Sequence, residues 1–292
     1  MTDFCHIVPT AYLDMFASGR PFHLTLAHLV EQDEEYANWY SQRALSKSLS
    51  PFTNIMDNSA FEMYKQGREM YPSDKLIEMG TKISADYIVM SDYPGEPAGK
   101  TIHAAKKMAP ELREAGFGTF FVPQGEEGNH QDLVDCFNWA ASAPEVDYIG
   151  VSILAVPLAY GVEKDNKLQR FMSRWKFMHD LGRDGILDKI NKNGKKMHFL
   201  GMVDGPNEID LVREFLPWIN TWDSSSAVWY GLHGQSYDRS PTGQINGKFE
   251  KEVDFSFPLD ETDPENKRNL GHCEMNMRWI DTKCEGTFYV TI

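Results

Sequence analysis

An α/β fold, a (β/α)8 TIM-type barrel with a small C-terminal β/loop appendage, is predicted by three observations. Short apolar runs rich in β-forming residues recur along the chain, helix-period segments separate them, and the runs number eight. Strands alternating with helices call for a parallel sheet, and eight such units close into a barrel. The chain has 292 residues, 41% of them hydrophobic, which suits one barrel of roughly 250 residues with a buried core. An open doubly wound sheet is the competing architecture. No GxGxxG stands at a strand-to-helix turn and no Walker loop is present, so neither a dinucleotide nor a nucleoside-triphosphate site is indicated.

Taken in order, the predicted strands are 5–9, 23–29, 52–56, 87–91, 119–123, 148–153, 198–203 and 218–222. Between them, apolar residues at three- and four-residue spacing predict helices over 34–49, 73–84, 99–114, 130–141, 168–190 and 208–215. After Ser224 the pattern changes. Gly231, Gly234, Gly243 and Gly247 break the chain into loops around 248–258, where alternating Val253, Phe255 and Phe257 predict a hairpin strand. The segment 272–292, with Trp279, Phe288 and Tyr289, is expected to pack back on the barrel. Residues 1–292 are read as a single domain, with 231–292 as an appendage.

In a barrel of this kind the chemistry gathers at the C-terminal ends of the strands. Five of the runs end in polar groups: Asp57, Ser91-Asp92, Gln124-Gly125, Gly150 with Ser152, and Asp223. Any one of these alone is ordinary turn or capping chemistry; five in succession suggest a rim that reads a polar ligand. Asp57 and Asp223, two carboxylates at strand ends, suggest an acid/base group and a nucleophile.

Composition narrows the classes of function. The 29 Lys and Arg against 43 Asp and Glu give a formal charge of −14, which argues against non-specific coating of nucleic acid. The short basic runs Lys106-Lys107 and Lys192-Asn193-Gly194-Lys195-Lys196 read as solvated faces. No run approaches the roughly 20 apolar residues of a membrane helix, and the N-terminus lacks the pattern of a signal peptide, so a cytoplasmic protein with no membrane partner is expected. Cys5, Cys136, Cys273 and Cys284 form no CxxC pair, and reduced thiols are expected.

The order of motifs resembles the tRNA-guanine transglycosylase superfamily, and within it the phage branch that acts on DNA. The words that carry the resemblance are Asp57-Asn58-Ser59-Ala60-Phe61-Glu62, Ala85-Asp86 through Ser91-Asp92, Gln124-Gly125, Tyr148-Ile149-Gly150-Val151, Leu200-Gly201-Met202-Val203 and Trp222-Asp223. Asn246-Gly247-Lys248 and Pro258-Leu259-Asp260 follow in the same order. The resemblance implies Asp223 as nucleophile and Asp57 as general acid/base. It implies Asp92, Gln124, Gly150 and Asn58 as base-binding residues, with Phe61 and Leu200 sandwiching the ring. It implies guanine in DNA, single-stranded or flipped out of a duplex, as one substrate, and a free 7-deazaguanine, the 7-cyano form among them, as the other. No cofactor is called for.

The chain departs from the family in three places. His272-Cys273 and Cys284 do not supply the family's Cys-x-Cys-x-x-Cys and His zinc set, so no metal is expected. Ser224-Ser225-Ser226 replaces a basic Pro-Thr-Arg segment, which favours DNA over tRNA. Ser59 and Ala60 replace paired glycines. Much subunit contact in the tRNA enzymes uses the zinc region, so a monomer or weak dimer is expected. A tRNA-acting enzyme, a non-catalytic barrel that binds nucleic acid or a partner subunit, and a barrel lyase or hydrolase acting on a small molecule remain the alternatives.

Overall fold

The computed structural model describes residues 1–203, 205–237, 252–260 and 262–285. It is an α/β fold of the (β/α)8 TIM type. The strands are β1 (Asp3–His6), β2 (Phe22–Leu26), β3 (Thr53–Asp57), β4 (Tyr87–Val89), β5 (Gly118–Phe121), β6 (Tyr148–Ser152), β7 (Lys196–Leu200) and β8 (Thr221–Ser224). Around them run α1 (Leu13–Phe16), α2 (Ala27–Gln32), α3 (Glu34–Leu45), α4 (Ala60–Gln66), α5 (Ser73–Lys82), α6 (Ala98–Glu114) and α7 (His130–Ala140). They continue as α8 (Ala155–Ala159), α9 (Lys167–Arg183), α10 (Ile186–Lys192), α11 (Pro206–Leu211), α12 (Ser226–Leu232) and α13 (Pro264–Cys284). The chain divides into two compact units, Leu24–Leu200 and Met1–His23 with Gly201–Ile292.

In the unit Leu24–Leu200, β3 through β7 pair in sequence order, all parallel, with Ile55 beside Tyr87, Phe120 beside Tyr148 and Gly150 beside His198. Such a sheet is covered on both faces, by helices on one and by the strands' own packed side chains on the other, so its strands are apolar almost throughout: Ile55, Met56, Ile88, Val89, Phe120, Phe121, Ile149, Val151, Met197 and Phe199 are all buried. One device recurs at the N-terminal edge. Asp86, just before β4, accepts the Asn54 amide of β3 at 2.7 Å and pairs with Lys47. Asp147, just before β6, accepts the Thr119 amide of β5 at 2.9 Å and pairs with Arg113. Each aspartate fixes register with its preceding neighbour, so the Ala85-Asp86 word is structural at Asp86.

In the other unit β1 pairs with β8 in parallel, placing Cys5 beside Asp223 and His6 beside Ser224. The long helix α13 is tied to this pair by an ion cluster. His6 Nε2 meets Asp281 Oδ1 at 2.8 Å, and Arg20 Nη1 donates to Asp281 Oδ2 at 2.7 Å.

Several predicted boundaries move for identifiable reasons. The predicted helix 168–190 is two, α9 and α10, because Gly185 turns the chain at φ 70°. The predicted strand 218–222 begins later, at Thr221, because Arg213–Trp218 is a 3-10 helix with Pro217 inside it. The hairpin strand predicted over 248–258 is corrected for its described part: 252–258 is not a strand. The Asp254 side chain takes the Ser256 amide at 2.9 Å, and the Phe257 amide closes a turn onto the Asp254 carbonyl. Residues 248–251, Gly243, the Asn246-Gly247-Lys248 word, Phe288 and Tyr289 lie outside the described residues. The four cysteines are free thiols, all buried. No helix among the described residues is long and apolar enough to cross a membrane.

Candidate functional site

Three of the predicted base-binding residues meet in one hydrogen-bonded cluster within the unit Leu24–Leu200. They arrive from the C-terminal ends of three successive strands: Asn58 after β3, Asp92 after β4 and Gln124 after β5. Asn58 Nδ2 donates to the Met90 carbonyl at 2.7 Å and to Asp92 Oδ1 at 2.8 Å. Gln124 Nε2 donates to Asp92 Oδ2 at 2.5 Å. Asp92 is 4% exposed, and its burial pushes the carboxyl up to about 6 against the opposing pull of the two amide donors. Gln124 Oε1 is buried and has no hydrogen-bond partner among the described residues. A carboxyl poised between its two protonation states, beside an acceptor with spare capacity, can read the N–H edge of a polar heterocycle.

Asp57 closes β3 beside this cluster. Its Oδ2 accepts the Ser59 amide at 2.9 Å, while Asn58 Oδ1 accepts the Ala60 amide at 2.9 Å, so both polar side chains shape the turn into α4. Phe61, on the first turn of α4, is 46% exposed, and the Lys65 ammonium lies 4.4 Å from its ring centre. Gly150 and Leu200 form a packing pair. A side chain at Gly150 would meet Phe120 Cε1 at 2.8 Å and Leu200 Cδ1 at 2.9 Å, so close packing requires the glycine.

Asp223 belongs to the unit containing β1 and β8, where it is 5% exposed. Its Oδ1 accepts the Gly201 amide at 3.1 Å, and the neighbouring Trp222 indole donates to the Gly201 carbonyl at 2.7 Å. In the turn into α12 the Ser224 Oγ accepts the Ser226 amide at 3.0 Å, and the Ser226 hydroxyl in turn accepts from Tyr237.

No family model matches this chain, and no curated protein matches it. The functional case accordingly stands on the residues themselves.

Two residues of interest were not singled out from sequence. Arg174, on the buried face of α9, donates from Nη1 to the carbonyls of Val151 at 3.2 Å and Leu200 at 2.9 Å, at the C-terminal ends of β6 and β7. Its signal is positional: Arg174 stands in the stripe of Phe177, Met178 and Leu181, where a charge has no solvent. His28 is buried with its ring Nδ1 2.8 Å from Ser59 Oγ. The positive φ of Ser59 that makes this contact possible carries no signal in the sequence.

Proposed function

We propose that this protein is a pentosyltransferase of the guanine transglycosylase type, which exchanges guanine in DNA for a free 7-deazaguanine base. The observation that carries the reading is the buried Asn58–Asp92–Gln124 cluster. Burying a carboxyl is costly unless its surroundings are built for it, and this one is built at three strand ends of a barrel, where ligands bind. The Gln124 acceptor and the Asp92 carboxyl match the N–H groups on the edge of guanine and its 7-deaza analogues. The order of the motifs from Asp57 to Asp260 adds the reaction class.

In this reading the Asp223 carboxylate attacks C1′ of the deoxynucleotide. The bond from C1′ to the base nitrogen breaks, Asp57 protonates the departing guanine, and a glycosyl ester forms on Asp223. The incoming base gives its ring N–H proton to Asp57, attacks C1′ from the face the guanine left, and releases Asp223. Two displacements retain configuration, as in retaining glycosidases. A base within a duplex has to be flipped out first, or the substrate is single-stranded. The Gly201 amide donates to Asp223 Oδ1 and orients the carboxylate.

The test is incorporation of labelled guanine into single-stranded DNA, double-stranded DNA and tRNA. Label is expected in DNA and not in tRNA, and Asp223→Ala is expected to lose about 10⁴-fold or more in rate. Label in tRNA alone would transfer the mechanism to a tRNA substrate. Full exchange by Asp223→Ala would end the proposal.

A further inference from the structure

Ser59 carries the chain through the left-handed region, φ 58°, at the turn from β3 into α4, and its side chain is fully buried. Glycine takes that conformation freely; a residue with a Cβ needs its surroundings to hold it there. Those surroundings come from His28, at the start of α2. The Ser59 Oγ accepts the backbone amide of His28 at 3.1 Å and lies 2.8 Å from the ring Nδ1 of the same residue. His28 is buried, and burial, reinforced by Arg68, pushes its pKa down to about 4, so the ring is neutral at pH 7. The same turn aims the Ser59 amide at Asp57 Oδ2, 2.9 Å away. Because Asn58 already serves the Ala60 amide at 2.9 Å, the clamp on Ser59 is additional to what the turn itself requires.

We infer that His28 and Ser59 are a positioning pair for Asp57: the contacts on the serine hydroxyl hold residue 59 at positive φ, and that φ keeps its amide on the carboxylate. The inference rests on the reading of Asp57 as the proton-transfer group. One carboxylate oxygen is thereby held by the Ser59 amide. Positioning of this kind acts on the chemical step, since a small misplacement of a reacting group is felt in rate long before it is felt in binding.

Two measurements on His28→Ala, His28→Asn and Ser59→Gly test it, amide hydrogen exchange and steady-state base exchange. In His28→Ala the Ser59 amide is expected to exchange about tenfold faster or more, with the Ile55 and Met56 amides of β3 unchanged. The kcat for base exchange is expected to fall about 10- to 100-fold at nearly constant KM, with partial recovery in His28→Asn, whose side-chain amide can replace the ring contact. Ser59→Gly keeps a backbone that tolerates positive φ but loses the hydroxyl and its two buried contacts, so it is expected to fold with a lowered melting temperature and still lose kcat at temperatures where it is fully folded. A Ser59 amide as protected in His28→Ala as in the wild type would overturn the inference, as would a wild-type kcat in Ser59→Gly. Should the wild-type protein label no polymer, the proposed reaction falls while hydrogen exchange still decides the pair.

Discussion

Asp92 and His28 are buried groups whose titrations pull stability in opposite directions. Burial raises Asp92 to about 6 from an ordinary 3.8. Between those values the folded state binds more protons than the unfolded chain, so stability from this group is full below about pH 4 and is lost as pH rises through 6. The loss amounts to about 3 kcal/mol at most. Asp92→Asn is therefore expected to unfold at a higher urea concentration than the wild type at pH 7, with the advantage vanishing near pH 4. The substitution keeps its hydrogen bonds because Gln124 can turn its Oε1, which lacks a partner among the described residues, toward the new amide. A variant less stable than the wild type at pH 7 would show that Asp92 is held charged by more than the two amides. His28 has the opposite sign. Lowered to about 4 from 6.5, it contributes stability that is present above pH 6.5 and lost as pH falls through 4. At this scale the sequence located strand ends wherever a polar residue closed an apolar run, as at Asp57, Asp92, Gln124 and Asp223. It was silent on which polar residues bond to one another, because Asn58, Asp92 and Gln124 meet only through the strand order.

The eight strands were legible because a parallel sheet covered on both faces is written as short apolar runs. Helix α13 was not, for a reason visible in its buried face. Asn269, Cys273, Asn276, Met277, Ile280 and Cys284 lie at helical spacing, but two of the six are amides and two are thiols, so no apolar period stands out. The amides are there to serve α12 and its exit. Asn276 Nδ2 donates to the Ala227 carbonyl at 3.0 Å and the Gln235 carbonyl at 2.9 Å, its Oδ1 accepts the Tyr237 amide at 2.8 Å, and Asn269 donates to the Leu232 carbonyl at 3.0 Å. The two helices approach so closely that a Cβ on Gly231 would lie 2.5 Å from the Cys273 nitrogen and 2.6 Å from its Cα. Backbone atoms cannot give way as a flexible side chain does, so Gly231→Ala is expected to cost about 2 kcal/mol or more. Chemical denaturation of the variant measures it, and a loss below about 0.5 kcal/mol, within the range of ordinary surface substitutions, would show that the helices separate without penalty.

Under the proposed reaction, a chain of formal charge −14 has to hold a polyanionic substrate by means other than bulk attraction. Some of its cations are also engaged. Lys47 pairs with Asp86, Arg68 with Glu31, Lys100 with Glu96, Arg113 with Asp147, and Arg183 with Asp180 and Asp184. A phosphate seeking any of these competes with a carboxylate already in place, and each displacement leaves a negative charge near the strand. The net negative charge disfavours a long run of phosphate contacts with counterion release, and base recognition with aromatic stacking is expected to supply much of the affinity. For a single-stranded oligonucleotide the slope of log K against log salt is about −0.7 per phosphate neutralised. The expected slope here is shallower than about −3, corresponding to roughly four phosphates or fewer. Fluorescence anisotropy with a labelled guanine-containing oligonucleotide, titrated across a salt series, gives this value directly. A slope steeper than about −5 would require a run of cations acting together on the backbone, and would overturn this expectation.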